Sequence, residues 1–216
     1  MADLSIFEKV VVWVVPVLFA ITVHEVAHGW VASRLGDQTA KSMGRLTLNP
    51  IKHIDPIGTV VLPVLLLYLG GFIFGWAKPV PVNWRNLGHP RRDMALVAVA
   101  GPCANLIMLM LWALLAKLLL LLHQSPVWLL EMMLTMCSIG ISINAVLMVL
   151  NLFPLLPLDG GRIMTALLPG RIAIIYSRLE PFGLLLLVVL IATGILGNIL
   201  GPIISSMEGL IYNLIH

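Results

Sequence analysis

The sequence predicts an all-α protein, a polytopic membrane helix bundle with about four to six membrane segments. Of its 216 residues, 60% are hydrophobic and only 11% are charged, whereas soluble domains carry about 25% charged residues. The apolar runs are long and do not alternate with polar residues, as in membrane-spanning helices. The length fits a single integral membrane domain over residues 1–216. The net charge of +3 is better explained by basic membrane loops than by a nucleic-acid surface, so no nucleic-acid partner is expected.

The apolar runs divide the chain into predicted helices. In chain order these lie at about Val10–Leu35, Met94–Leu122, Val127–Phe153, Gly161–Leu168 and Phe182–Leu200. A polar, basic connector is expected over residues 171–181. Gly201-Pro202 is expected to break the last helix and to leave Ile203–Ile215 as an amphipathic or partly inserted tail.

Two segments between the first and second long helices are predicted to be irregular. Ile57–Gly75 is apolar but short, and Pro63 and Gly70-Gly71 interrupt it. It either spans the membrane or enters and leaves on the same side, a path that needs shielding by protein or by a water-filled cavity. Alternating prolines in Trp76–Asn83 forbid a helix and favour a short extended segment.

Lysines and arginines distinguish the two paths for residues 57–75. Residues 34–56 hold four, residues 76–93 hold four, residues 154–181 hold three, and the turn at 123–126 holds none. The positive-inside rule places all three basic segments in the cytoplasm only if residues 57–75 form a re-entrant segment. We therefore favour re-entry.

Three ionisable residues lie close together within the first apolar run: His24, Glu25 and His28. Polar side chains inside a membrane span are costly and indicate a functional site by default. His24 and His28 are four residues apart, so on a helix they share one face and can reach one metal ion, with Glu25 beside it. The alternative is a pair of core histidines with a paired glutamate, but an apolar helix offers little to pair them with.

Asp159 is the best candidate for a third ligand, since catalytic zinc sites usually use three protein ligands and a water. Most other acidic residues lie in polar loops, where a solvated charge explains them. Asp159 follows an apolar helix and stands between Pro157 and Gly160-Gly161, which fix a local turn. The alternative role is a cap for the short helix that follows. The charge-derived topology places Asp159 on the cytoplasmic side, with His28.

Together these segments resemble the site-2 protease family of intramembrane zinc metalloproteases, in its compact bacterial type without a PDZ or regulatory domain. The matching motifs are His24-Glu25-Val26-Ala27-His28, Asn151-Leu152-Phe153-Pro154, Leu158-Asp159-Gly160 and, for the family's GPxxN element, Gly101-Pro102-Cys103-Ala104-Asn105. The resemblance implies one Zn²⁺ bound by His24, His28 and Asp159, with Glu25 as the catalytic base. It covers about residues 10–170 as the catalytic core, and membrane segments at about 182–215 follow.

The resemblance implies a multi-pass protein of the cell membrane, with its active site toward the cytoplasm, that hydrolyses peptide bonds in or near transmembrane segments. Its expected partners are the lipid bilayer and a membrane-protein substrate with an unwound transmembrane segment, because a helix hides its peptide carbonyls. Val80 and Val82 of the extended segment could pair with the unwound strand.

Three asparagines are further candidates. Asn144 and Asn151 are seven residues apart on one helix face and could contact the transition state or the substrate, with interhelical hydrogen bonding as an equal alternative. For Asn105, helix packing is the favoured role. His53 and His89 are expected in solvated loops.

Two other functions compete with proteolysis. A metal ion transporter would need polar residues along a whole path, which the later helices lack. A non-catalytic membrane scaffold would not need the intact Glu25.

Overall fold

A computed structural model of the protein describes residues 5–61, 65, 68, 77–122 and 127–215. The described part is helical and contains no strand, as the composition predicts. Its principal helices are α1 (Ile6–Arg34), α2 (Pro90–Leu122), α3 (Val127–Asn151), α4 (Asp159–Leu167), α5 (Gly170–Ser177), α6 (Glu180–Ala192) and α7 (Ile195–Ile215). Short helical turns lie at Thr39–Ser42, Pro50–His53, Pro56–Val61 and Trp84–Asn86.

Four of these helices, α1, α2, α3 and α7, are long and apolar enough to cross a membrane. Helices α5 and α6 together are long and apolar enough to form a fifth segment. This segment would be broken, because the two helices meet at an angle of 63°. This confirms the predicted membrane helix bundle and its number of segments.

The two longest helices begin before their predicted starts. Ser5 and Glu8 form a capping box, in which the Ser5 hydroxyl accepts from the Glu8 amide and the Glu8 carboxylate accepts from the Ser5 amide. This local signal starts α1 at Ile6 rather than at Val10. Helix α2 starts at Pro90 rather than at Met94, because proline suits the first position of a helix and the Asp93 carboxylate accepts from the His89 amide.

Helices α1, α2 and α3 form an antiparallel core. Asn105 of α2 contacts the Ala20 carbonyl of α1 and the Asn144 side chain of α3, both at the middle of the bundle. Gly140 of α3 packs directly on Trp112, where a Cβ would lie 2.5 Å from the indole ring. The C-terminal end of α1 therefore meets the N-terminal end of α2, and we call this the site end of the bundle.

Residues 35–89 begin and end at the site end. The Gly88 amide donates to the Leu35 carbonyl at 3.2 Å. This bond joins the first residue after α1 to the residues that immediately precede α2. Most of residues 57–75, the segment predicted to re-enter, lies outside the described residues.

The C-terminal third differs from the prediction. The expected basic connector forms helix α5, and the expected span Phe182–Leu200 is divided at Thr193 and Gly194. Gly194 has a φ of +74°, a left-handed conformation that ends a helix. Pro202 lies inside α7 and does not break it. Proline leaves the carbonyl four residues before it without its helical donor, a loss that apolar membrane helices tolerate.

Candidate metal centre

His24 and His28 lie one turn apart on the face of α1 that packs against α2. Both are buried, with 7% and 9% of their surface exposed. Their Nε2 atoms are 3.0 Å apart, and the rings meet edge to face with centroids 4.6 Å apart. The pair therefore directs two nitrogens at one point, as the spacing of four residues predicts.

Helix α2 determines which nitrogen of each histidine is free. His28 Nδ1 lies 2.7 Å from the Val97 carbonyl oxygen, which can only accept, so this nitrogen carries the proton. His24 Nδ1 lies 2.6 Å from Asn105 Oδ1. The Asn105 amide is oriented because its Nδ2 donates to Asn144 Oδ1 at 2.9 Å. We therefore place the protons on both Nδ1 atoms, which leaves each Nε2 in the unprotonated form that binds metals.

The Asp159 carboxylate reaches the histidines from the irregular segment that follows α3. Its Oδ2 atom lies 3.4 Å from His24 Nε2 and 3.3 Å from His28 Nε2. Burial works to raise the pKa of the Asp159 carboxyl, but the adjacent imidazoles of His24 and His28 outweigh it and hold the pKa below its ordinary value. The carboxyl group is therefore an anion that lies beside both Nε2 atoms.

Two glycines allow the chain to turn tightly enough to deliver Asp159. A Cβ at Gly160 would lie 2.2 Å from the Leu152 carbonyl oxygen, and one at Gly161 would lie 2.4 Å from the Leu156 nitrogen. Asp159 is the first residue of α4, which starts two residues before the predicted Gly161. The residue at the cap position is Leu158, and no side chain caps the helix. Asp159 thus faces the histidines instead of capping α4.

The three side chains fit a divalent ion such as zinc. They form a group whose ligand atoms all lie within 4.8 Å of one another, and the separations given above are 3.0–3.4 Å. Ligands placed about 2.0–2.2 Å from a tetrahedral zinc would be roughly 3.3–3.6 Å apart. A cation at the centre of the two nitrogens and the carboxylate would balance the buried negative charge of Asp159.

Gly101 of α2 permits this approach of the helices. A Cβ at this position would lie 2.4 Å from His28 Nε2 and 2.5 Å from His24 Cε1. Any side chain here would occupy space that the two histidine rings fill. Close packing against the two histidine rings therefore explains why the GPxxN element has a glycine at position 101.

Glu25 lies beside the cluster and touches the extended segment. Its Oε2 atom accepts a hydrogen bond from the Val80 amide at 2.7 Å. Val80 is buried and packs on Gly29, where a Cβ would lie 2.7 Å from Val80 Cγ1. Val82 is half-buried and packs against Ala32 and its neighbours on α1 and α2. The segment that the prolines predicted therefore covers the helix that carries the HExxH residues.

The three predicted asparagines have different positions. Asn105 touches a predicted ligand directly, through His24, and so does more than pack helices. Asn144 is fully buried and reaches His24 only through Asn105. Asn151 donates to the Leu147 carbonyl of its own helix at 2.9 Å, and within the described part of the chain it makes no hydrogen bond to the cluster.

The loop after α1 contributes neighbours of the site that the sequence did not single out. Asp37 is fully buried and accepts from the Asn83 amide at 2.7 Å, and Arg45 donates to the carbonyls of Lys78 and Pro79. The expectation of a solvated His53 is wrong, since it is 2% exposed and bonded to the Thr47 carbonyl. Asp37 had a local signal, an aspartate two residues before Thr39 that forms a turn with it; Arg45 had none.

Comparison with known proteins gives relatives of one kind. The chain is 41% identical over 197 residues to the protein named "Putative zinc metalloprotease YwhC" of Bacillus subtilis (strain 168), covering 89% of this chain and 85% of that protein. The chain belongs to this family of zinc metalloproteases. Two proteins named "Putative zinc metalloprotease Rip2" are more distant. That of Mycolicibacterium smegmatis is 38% identical over 95 residues, and that of Mycobacterium tuberculosis H37Rv is 32% identical over 147 residues.

The coverage of the Rip2 proteins is partial. The matches take in 44% and 66% of this metalloprotease, and 35% and 52% of the two relatives. No family model matches the chain, and no solved structure matches it. The names of the relatives agree with the donor set of this metalloprotease, which has two imidazoles and a carboxylate with a glutamate beside them.

Proposed function

We propose that the protein is an intramembrane zinc metalloprotease of the site-2 type, which hydrolyses peptide bonds in or near transmembrane segments of other membrane proteins. The observation that carries the proposal is the meeting of His24, His28 and Asp159 between helices long and apolar enough to span a membrane, with Glu25 next to them. A soluble metalloprotease would not need to bury this cluster among such helices.

The residues divide the chemistry between them. His24, His28 and Asp159 would hold one zinc ion, which supplies Lewis acidity toward a water molecule and the scissile carbonyl. Glu25 takes a proton from that water and delivers it to the leaving amine. The Val80 amide occupies Glu25 Oε2, so Oε1, which has no hydrogen bond among the described residues, is the oxygen left to receive the proton.

The same proposal places the active site at the cytoplasmic side of the cell membrane. The three basic segments of the sequence meet at the site end of the bundle: the Lys78 amide donates to the His53 carbonyl, Arg91 donates to the Leu168 carbonyl, and Arg162 lies 5.5 Å from the centre of the Trp84 ring. Basic segments that share one end support a common cytoplasmic location.

The substrate would be a membrane-protein segment that has unwound, since a helical segment keeps its carbonyls bonded. We propose that it pairs with the extended segment at Val80 and Val82. The amides of Lys78, Val80 and Asn83 already donate within the chain, so the Val82 amide is the donor left for a substrate among those described. Val82→Pro should impair cleavage while zinc stays bound. Unchanged cleavage would contradict the pairing of the substrate with the extended segment.

The test of the proposed function compares the wild type with Glu25→Gln. Each protein is purified, its zinc content is measured, and it is placed in phosphatidylethanolamine–phosphatidylglycerol vesicles with a single-span model substrate that contains a helix-destabilising Asn-Pro pair. Both proteins should bind one zinc, and only the wild type should cut. Normal cleavage by Glu25→Gln would contradict the proposal. Zinc entry into vesicles without cleavage would favour a metal transporter, and zinc binding with neither activity a scaffold.

A further inference from the structure

Arg45 is a buried cation that has no anionic partner among the described residues. Its side chain is 7% exposed, and within the described part of the chain it forms no ion pair. A buried charge that lacks a partner costs free energy, so Arg45 calls for an explanation. Its guanidinium donates to two backbone carbonyls of the extended segment, Lys78 at 2.9 Å and Pro79 at 3.3 Å.

One peptide group connects Arg45 to Glu25. The carbonyl of Pro79 and the amide of Val80 belong to the same peptide plane. The carbonyl accepts from Arg45 at 3.3 Å, and the amide donates to Glu25 Oε2 at 2.7 Å. A cation at the carbonyl oxygen polarises the peptide and strengthens the bond that its amide makes on the other side.

The rest of the segment is held on both flanks by hydrogen bonds that do not involve Arg45. The Lys78 amide donates to the His53 carbonyl at 2.9 Å, and the Asn83 amide donates to Asp37 Oδ2 at 2.7 Å. Val80 itself is 6% exposed. Removal of the contact between Arg45 and Pro79 would therefore free one peptide plane and leave the rest of the segment in place.

We propose that Arg45 is a positioning residue for Glu25 and acts through the peptide that joins Pro79 to Val80. This inference rests on the proposed role of Glu25 as the base. Arg45 fixes the plane of the peptide, the Val80 amide fixes Glu25 Oε2, and Glu25 Oε1 is thereby held toward the water. Among the described residues, Arg45 makes no hydrogen bond to His24, His28 or Asp159.

The first measurement reads the Val80 amide without any need for cleavage. Metal-free protein labelled with ¹³C-carbonyl proline and ¹⁵N-valine gives signals only from valines that follow proline, of which the sequence has five. Val80→Ile identifies the signal of interest. In Arg45→Met this amide proton should move upfield, because its hydrogen bond weakens, and in Arg45→Lys it should return toward its wild-type position. An unchanged signal in a folded Arg45→Met protein would overturn the inference.

The second measurement asks whether Arg45 acts through Val80. Arg45→Met should lower kcat roughly 10- to 100-fold with little change in KM and with zinc still bound, and Arg45→Lys should recover most of the activity. In a Val80→Pro background, which already lacks the amide hydrogen, Arg45→Met should have almost no further effect. A full additional loss there would mean that Arg45 acts by another route. Arg85→Met, which removes an exposed arginine of the neighbouring turn, is the matched control.

The test of Arg45 stays decisive if the wild type does not cleave and if Arg45→Met does not fold. If the wild type cleaves nothing, the proposed function fails, and the amide signal alone then decides whether Arg45 holds the peptide. If Arg45→Met does not fold, Arg45→Gln takes its place, since it keeps a neutral donor for the Pro79 carbonyl. In Arg45→Gln the Val80 amide signal should move upfield, but by less than in Glu25→Gln, which replaces the carboxylate that accepts from this amide. An unmoved signal in Arg45→Gln would overturn the inference.

Discussion

The two halves of the metal centre are built in different ways. His24 and His28 lie on a regular helix, and α2 adds only a carbonyl, an amide side chain and a glycine. Asp159 is delivered by residues 152–158, which lie outside the helices α3 and α4 and keep their path by packing against glycines. Spacing along one helix is enough to position the first half. The second half depends on the absence of side chains at particular places.

The largest expected effect comes from adding a methyl group to the helical half. Gly101→Ala should abolish stoichiometric zinc binding and lower activity by about 100-fold or more, because the new Cβ would lie 2.4 Å from His28 Nε2. Zinc content after purification and cleavage of the model substrate are the measurements. Alanine is also a better helix former than glycine by about 1 kcal/mol, so a loss of zinc cannot come from a weaker helix.

Gly209→Ala is the matched control for this change, since a Cβ there meets nothing within 4 Å. It should bind zinc and cleave like the wild type. Wild-type zinc binding by Gly101→Ala would show that α1 and α2 can move apart without any loss of zinc affinity. The contrast between the two halves would then be wrong.

A smaller effect is expected from the same change in the irregular half. A Cβ at Gly183 of α6 would lie 1.7 Å from the Leu156 carbonyl oxygen, which is backbone and cannot rotate away. Gly183→Ala should therefore shift residues 152–158 and weaken zinc binding about 10-fold, with a stability loss of about 1–3 kcal/mol. Competition with a chelator measures the affinity, and chemical unfolding measures the stability.

Gly170→Ala provides the control in this half, because a Cβ there is also free of contacts within 4 Å. The two histidines should stay together in Gly183→Ala, so it should keep weak zinc binding, whereas Gly101→Ala should keep almost none. Equal losses in both variants would show that the centre responds as one unit, which contradicts the division into two halves.

The same division explains what the sequence could predict. His24, Glu25 and His28 were recognisable because their chemistry lies within one turn and a fixed helical repeat. Asp159 was recognisable because prolines and glycines mark its turn. The Val97 carbonyl and the contact of Arg45 with Pro79 were not, because a backbone oxygen carries no residue identity and the two partners are distant in sequence.

The errors in the helix boundaries have physical causes too. Gly194 and Pro202 are both helix-breaking residues in one apolar run. Local sequence alone does not say at which of the two the helix ends. The helical run breaks at Gly194, where the backbone takes a left-handed φ, and continues through Pro202. The early start of α1 has a local signal in the capping box of Ser5 and Glu8, which precedes the apolar run.

The smallest expected effect concerns Asp37, which follows α1 and joins the end of this helix to the extended segment through the Asn83 amide. Burial works to raise the pKa of its carboxyl, but hydrogen bonds from Thr39, Asn86 and the Asn83 amide outweigh it, so the pKa lies below the ordinary 3.8. Asp37→Asn keeps the shape but loses the charge that these donors face. It should cost roughly 1 kcal/mol of unfolding free energy at neutral pH.

The pH dependence of this loss tests its electrostatic origin. A carboxyl whose pKa is lower in the folded state stabilises the fold fully above its unfolded pKa, and it loses that contribution as the pH falls through the folded pKa. The difference between the wild type and Asp37→Asn should therefore be constant from about pH 8 to about pH 5 and should close at lower pH. Unfolding of the zinc-free proteins in detergent measures it without interference from metal release. A difference that stays constant below about pH 3 would mean that Asp37 holds the Asn83 amide by shape alone, and that its charge contributes nothing to joining the end of α1 to the extended segment.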